Sequence, residues 1–463
     1  MSLANDSFFI SLSNIVGIIV SLFRSPILVR AYKFVPEVFG RFQYLTSIIN
    51  VISSYASLSM GVAYVSERKS HSEEDRHNFS LWLMLVSTSL TCFSLFICMI
   101  VLKSPILFIQ GIIFVLPQLF YNPLSIISRD EKRFILRSGM SMIELFASTT
   151  IVLILGFFVR NEIALIVSGS IGTTLSAVFL AKKLKWSFTG NNFNKSYLKI
   201  FVKSNSNIVI FQTASSLLNN VSLNIPVFFI RSLFGERILG FYALAYRLLI
   251  MAIQVWSSAL SDMFLPYFSK SEEDEKKLFN NCLLFASIFF FPFFGISTLS
   301  DYYINILYGN KFVEVSSIIK ILTPWLFSVA VISPYTSAFL VHQKAGMGLI
   351  ISILLIGARV GTLFVGSFWD YKMSLILFSF ISVVFFDIML VLSFRYAHVY
   401  FLHTLLAMIV YEISLFALVL SNLLYWLGYV AIIFACVILY KRREILRALT
   451  LSLVNTLRTR IKK

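Results

Sequence analysis

The stretches FGRFQY (residues 39–44) and LGFYAL (residues 239–244) lie 200 positions apart in a 463-residue chain. At that offset Gly40 falls on Gly240, Phe42 on Tyr242, and Pro26 on Pro226. Further on, Ser72-Glu73-Glu74-Asp75 meets Ser271-Glu272-Glu273-Asp274, one residue out of step. Each match is short, but their order holds across two apolar segments and two loops. The sequence reads as an internal repeat, and the rest of the chain fixes what repeats.

The chain is 58% hydrophobic and 13% charged, with a mean hydropathy of +0.84. A soluble protein of this length has no use for so much apolar surface, so the class is polytopic membrane protein. Apolar runs of about 20 residues, each able to cross the bilayer as a helix, recur throughout. The expected spans are 8–29, 41–65, 80–102, 105–127, 138–159, 163–181, 204–230, 240–267, 279–299, 314–341, 347–369, 374–394, 404–421 and 424–440. The fold class is therefore all-α integral membrane, with about fourteen transmembrane helices. The first run, from Phe8, lacks a basic n-region and a small-residue cleavage site, and is expected to be a retained helix rather than a signal peptide.

Lys and Arg set the orientation. With a cytoplasmic N-terminus, 26 of the 39 fall in inner loops and 9 at the outer side; Arg24, Arg247, Lys320 and Arg359 fall within spans. Both termini are expected inside a bacterial plasma membrane. The net charge of +17 is then mostly topological, and nucleic-acid binding is not needed to explain it. Repeat and topology together predict an N-lobe of six helices over 1–181, a cytoplasmic connector at 182–203 and a C-lobe of six helices over 204–395. A helix pair at 396–440 and a basic amphipathic tail at 441–463 complete the chain. Six spans separate the starts of the two copies, so both run the same way through the membrane, related by an axis along its normal. Such an architecture places a substrate between lobes.

Several chemistries are absent. The four cysteines lie inside apolar runs without CxxC spacing, the histidines do not form HExxH, and no GxxxxGK[ST] occurs. Neither a metal nor a cofactor is expected, and no segment outside the spans is long enough for a catalytic domain.

What remains is a set of polar residues at helical spacing. Asn14, Gly17, Ser21 and Arg24 share one face of span 1. Gln43, Thr46, Asn50, Ser53 and Ser57 do so on span 2; Gln212, Ser215, Ser216 and Asn219 on span 7; Arg247, Gln254, Ser258 and Ser261 on span 8. Lipid cannot satisfy such stripes, so they face protein or water. Helix packing through small polar residues is one reading. A hydrated cavity served by both copies of the repeat is the favoured one. Arg24 and Arg247 both fall in the outer third of their spans, where two guanidinium groups suit an anion such as phosphate. Arg30 and Arg41 stand nearby, at the outer ends of spans 1 and 2. Arg359 and Asp387, at mid-depth of sequential spans, are expected to form a buried ion pair. Asp387, Arg359 and Glu412 are also the candidates for ion coupling. The GxxxG spacing at Gly357 and Gly361 predicts close helix packing. Asp301 and Glu314, in the longest outer loop, have no evident partner.

VPEVFGRFQYLTSIINVISSYASLSMGVAYVSER (35–68), LGFYALAYRLLIMAIQVWSSALSDMFLPYFSK (239–270) and LYGNKFVEVSSIIKILTPWLF (307–327) resemble the polysaccharide transporter family. That family belongs to the multidrug/oligosaccharidyl-lipid/polysaccharide exporter superfamily, and the similarity is nearest to Wzx-type O-antigen flippases. The resemblance implies two six-helix lobes. It also implies movement of undecaprenyl-pyrophosphate-linked oligosaccharide from the inner to the outer leaflet by alternating access, driven without a cofactor by a proton or sodium gradient. Arg24 and Arg247 match the arginines that similar lipid II flippases carry on helices 1 and 8, and Arg41 is a poorer match for the one on helix 2. The sodium site of those relatives uses acids on helices 7 and 11, where this chain has none in span 7 and Arg359 in span 11. Expected partners are the lipid-linked oligosaccharide, membrane lipids and other polysaccharide-assembly proteins. The competing readings are a drug/cation antiporter of the same superfamily and a membrane-embedded glycan polymerase or ligase.

Overall fold

A computed structural model describes residues 16–66, 73–186, 195–268, 272–420 and 425–443, except 18, 132, 207 and 343. Every element among the described residues is helical. Helix α1 covers 19–30, followed by α2 (Pro36–Ala56), α3 (Met60–Ser66), α4 (Glu73–Leu102), α5 (Pro105–Asp130), α6 (Phe134–Phe158) and α7 (Glu162–Lys183). After α8 (Lys195–Ser204) and a π-turn at Ile208–Gln212 comes α9 (Thr213–Phe268), bent at Gly235. Then follow α10 (Glu272–Asn280), α11 (Cys282–Thr298), α12 (Ser300–Tyr308), α13 (Val313–Ile332), α14 (Ala338–Val341) and α15 (Ala345–Gly366). The last are α16 (Tyr371–Tyr396), α17 (Leu402–Leu420) and α18 (Tyr425–Lys441). Among the described residues nine helices are long and apolar enough to cross a membrane, ten if the bent pair α11–α12 counts as one. This is a multi-pass membrane protein. The tail beyond Arg443 lies outside the described residues, as does the middle of the 182–203 connector.

Local chemistry explains the helix boundaries. Pro36 opens α2 at a position where a missing N–H costs nothing. Asn161 and Asp370 cap α7 and α16 by accepting from the N–H groups of Ile163 (3.0 Å) and Met373 (2.7 Å). Gly235 takes a φ of 84°, open to glycine without steric cost, and there α9 turns. Leu58 and Ser59 also have positive φ and divide α2 from α3.

The chain forms two compact units that divide inside α9, the first running to Ala243 and the second from Leu244. In the first, α6 and α7 pack through small residues. A Cβ on Gly172 would lie 2.7 Å from the Glu144 carbonyl oxygen, and Ser176 donates to the Met140 carbonyl at 2.7 Å. In the second, α13 is enclosed almost throughout, and Phe290, Phe327 and Tyr411 form an aromatic core around it. α12 leaves the line of α11 by 58° at Leu299. It buries Ile304 and Tyr308 and leaves Leu299, Tyr302 and Ile306 outward.

Candidate functional site

The repeat-matched glycines meet. A Cβ on Gly40 would lie 2.3 Å from the Glu236 carbonyl oxygen and 3.0 Å from the Gly240 nitrogen. A Cβ on Gly240 would lie 1.9 Å from the Pro36 carbonyl oxygen. Position 36 is to 236 as 40 is to 240, so each copy's glycine packs on the other copy's backbone, four residues ahead of the matching glycine. Only glycine permits that approach, which is the physical reason for the two motifs. Ion pairs surround the crossing. Arg41 Nε donates to Glu236 Oε2 (2.6 Å), Arg231 Nη2 reaches Glu236 Oε1 (3.2 Å), and Glu162 lies 3.8 Å from Arg41. Arg231 also lies over the Tyr44 ring at 3.7 Å, and Tyr44 meets Phe228 edge-on at 5.9 Å.

Beyond this crossing α2 and the first half of α9 carry the predicted polar faces. On α2 Gln43 is half-buried and donates to Ser47 Oγ at 3.4 Å, and Asn50 is exposed. On α9 Asn219 is exposed, and Gln212, just before its start, is half-buried. Asn220 and Asn224 turn back on their own helix, donating to the carbonyls of Ser216 (2.9 Å) and Asn220 (2.8 Å). An exposed asparagine on an otherwise apolar helix of a membrane protein needs water or a polar ligand. Asn50 and Asn219 are the residues here that meet that condition.

Arg24 is buried, at 8% exposure, with Ser21 and Ser25 buried beside it. It does not snorkel to the surface. Arg247, in the second unit, is half-buried. Arg30 and Arg41 are exposed, and Arg41 is committed to the Glu236 network rather than free for a ligand. Asn14 and the side chain of Gln254 lie outside the described residues.

In the second unit the expected Arg359–Asp387 ion pair is replaced by two separate arrangements. Arg359, at 1% exposure, donates from Nε to Ser382 Oγ at 2.9 Å, with Trp325 and Phe378 flanking its guanidinium at 5.1 and 5.0 Å. Aromatic faces accept a weakly hydrated guanidinium, so the two rings help to hold this cation. Asp387 lies instead in hydrogen-bonding contact with Glu412, which is 3% exposed and accepts from Ser328 Oγ at 2.5 Å. A carboxyl–carboxyl hydrogen bond needs a proton on one partner, and Asp387 Oδ1 has no partner among the described residues. The two acids and the Ser328 hydroxyl form one polar cluster inside the helices of this unit. Serine and threonine spacing does not single out Ser382 or Ser328, since hydroxyls that bond the preceding turn are common in membrane helices.

Three smaller expectations change. At Gly357 and Gly361 no atom lies within 4 Å of where a Cβ would stand, so this GxxxG marks no close contact among the described residues. Asp301 pairs with Lys320 at 2.6 Å and accepts from Ser316. Glu314 pairs with Lys372 at 3.1 Å and accepts from Tyr371. The two acids of the 300–314 stretch therefore fasten helix ends. Among the described residues no group of three His, Cys, Asp or Glu side chains could hold a metal ion.

Similar proteins share this frame. The solved lipid II flippase MurJ in an inward closed conformation has a TM-score of 0.70 at 15% identity, over 95% of this chain and all of that one. An outward-facing multidrug resistance MATE transporter of the MOP superfamily has a TM-score of 0.60 at 13% identity, over 88% and 96% of the two chains. At such identities the likeness is one of fold. In sequence, the teichuronic acid biosynthesis protein TuaB of Bacillus subtilis (strain 168) is 24% identical over 141 residues, which span 30% of this chain and 29% of that protein's length. The family described as polysaccharide biosynthesis protein matches residues 28–317, more than half of the sequence and both glycine motifs, and the chain belongs to that family.

Proposed function

We propose that the protein is a flippase for undecaprenyl-pyrophosphate-linked oligosaccharide, moving an O-antigen-type repeat unit from the inner to the outer leaflet by alternating access. The observation that carries this reading is the burial of Arg24 on the polar face of α1. The headgroup of such a lipid is anionic and rich in hydroxyls. Stripping its water in hydrocarbon costs several kcal/mol for each unsatisfied group. In the first unit Arg24 offers a forked donor to a pyrophosphate, and Ser21, Gln43, Asn50, Gln212 and Asn219 offer hydrogen bonds to sugars; in the second, Arg247 and Gln254 are groups of the same kinds. The apolar tail stays in lipid throughout.

Transport of a fluorescent lipid-linked oligosaccharide in proteoliposomes tests the reading. Arg24→Ala and Arg247→Ala each abolish or cripple flipping while the protein still reaches the membrane, and Arg24→Lys retains part of it. Normal flipping by both alanine variants refutes the proposal. Arg41→Ala, which touches the ion network only, keeps most of the activity.

A second reading has one observation in its favour. The Asp387–Glu412–Ser328 cluster resembles a cation or proton site more than a sugar site, as a drug/cation antiporter needs. The same cluster serves the flippase as its coupling point to a proton or sodium gradient. Efflux of a fluorescent cation, lost in Glu412→Gln, favours the antiporter. Oligosaccharide flipping that responds to an imposed gradient and loses that response in Glu412→Gln favours the flippase. A membrane-embedded polymerase has no reactive cluster to support it among the described residues, and glycan polymerisation by the purified chain revives it.

A further inference from the structure

A cleft of about 350 Å³ runs between α5 and α7 in the first unit. Met84, Leu116, Phe120, Thr174, Val178 and Trp186 line it, and its walls are almost wholly apolar. Val178 is 60% exposed, and Leu116 and Phe120 also face outward, so the cleft opens toward the surroundings of the helices. From Thr174 to Ala181 it follows seven residues of α7, about 10 Å at 1.5 Å per residue.

Its closed end has a defined construction. Helix α7 stops at Lys183, and Lys185 takes a φ of 52°, a left-handed position more usual for glycine. That turn folds Trp186 back, its N–H donating to the Ala181 carbonyl at 2.9 Å. The indole Nε1 donates to Ser80 Oγ on α4 at 2.9 Å, and the ring leans on His77 with centroids 5.8 Å apart. The tryptophan is therefore fixed as a roof, with its apolar face over the cleft and its polar edge bonded. Around it stand Lys182, Lys183 and Lys185, all exposed, and among the described residues none of the three makes an ion pair. Arg133 adds a fourth cation by donating to the Lys183 carbonyl at 3.4 Å. The carboxylate at this corner, Glu131, is already shared by Arg133 (2.7 Å) and Arg76 (2.6 Å).

A 10 Å apolar slot, closed by tryptophan and rimmed by unpaired lysines, has the profile of a lipid in its own leaflet. The upper part of an acyl chain fits the slot, the indole sits at the boundary, and cations surround the phosphate. We propose that this cleft is a binding site for an anionic phospholipid, one acyl chain lying between α5 and α7 and the phosphate held by Lys182, Lys183 and Lys185. The charge of the rim selects the acidic headgroup. A zwitterionic lipid of the same chain length fills the slot without that selection. The site is separate from the polar faces of the proposed flippase, and its test does not depend on transport.

Native mass spectrometry of the full chain in detergent, with phosphatidylglycerol and phosphatidylethanolamine of matched chains, reads the proposal directly. Phosphatidylglycerol is retained at least fivefold more. Val178→Trp, which fills the slot from its open side, lowers that retention about tenfold while leaving the melting temperature unchanged. Lys182→Gln, Lys183→Gln and Lys185→Gln together remove the headgroup preference. A second measurement uses phosphatidylglycerol with brominated chains, which quenches wild-type tryptophan emission more than that of Trp186→Phe. Equal retention of the two lipids, or retention and quenching unaffected by Val178→Trp, overturns the site. Displacement of phosphatidylglycerol by equimolar undecaprenyl phosphate assigns the slot to the polyprenyl chain of a carrier lipid and overturns the phospholipid assignment.

Discussion

The glycine crossing of the first unit and the buried charges of the second hold their helices by opposite means. At the crossing, backbone lies on backbone and the charges stay near solvent: the side chains of Arg41 and Glu236 are 50% and 29% exposed. In the second unit Arg359 and Glu412 are withdrawn from solvent and enclosed by rings and hydroxyls. An exposed ion pair exchanges with water at a cost of about 1 kcal/mol or less. A buried charge deprived of its partner costs several. The two regions therefore divide the labour: the charges at the crossing release easily, and those of the buried core do not.

Gly240→Val breaks this comparison most severely. The first added carbon meets the Pro36 carbonyl oxygen at 1.9 Å and backbone has to move, so a loss on the order of 3 kcal/mol is expected in thermal denaturation. Arg359→Ala comes next. It leaves a void between Trp325 and Phe378, while Ser382 keeps its bond to the Phe378 carbonyl, for about 2–3 kcal/mol, whereas the apolar, similarly long Arg359→Met costs less than about 1 kcal/mol. Comparable losses in both variants would show that the charge itself, and not the packing, holds this core. A double-mutant cycle of Arg41→Ala and Glu236→Ala is expected to give a coupling below about 1 kcal/mol that shrinks as salt rises. A large salt-independent coupling would place the crossing in the same class as the buried core. The smallest effect has the opposite sign: Gly357→Ala meets open space inside α15 and raises stability by about 0.5–1 kcal/mol through helix propensity alone.

Legibility follows periodicity. Spans, polar faces and the repeat all depend on spacing along one chain, and Gly40 and Gly240 align by offset alone, without knowledge of their contact. Partners across helices are a different matter. Asp387 follows Ser382 by five residues, which turns it about 140° around α16, so the two cannot serve one neighbour. No spacing rule says that aromatic rings take the arginine and a second acid the aspartate. The GxxxG at 357–361 fails for the same reason: it describes a helix face, not what that face meets. Trp186 is legible only as part of a basic connector, because its place depends on a left-handed lysine.

The 58° turn at Leu299 has a consequence for how the second unit floats. A helix inclined that far from the span before it gains only about half its length in depth, near 7 Å for the nine residues of α12. Its outward row of Leu299, Tyr302 and Ile306 then rests along the lipid boundary like a keel, and the Asp301–Lys320 pair holds it at that angle.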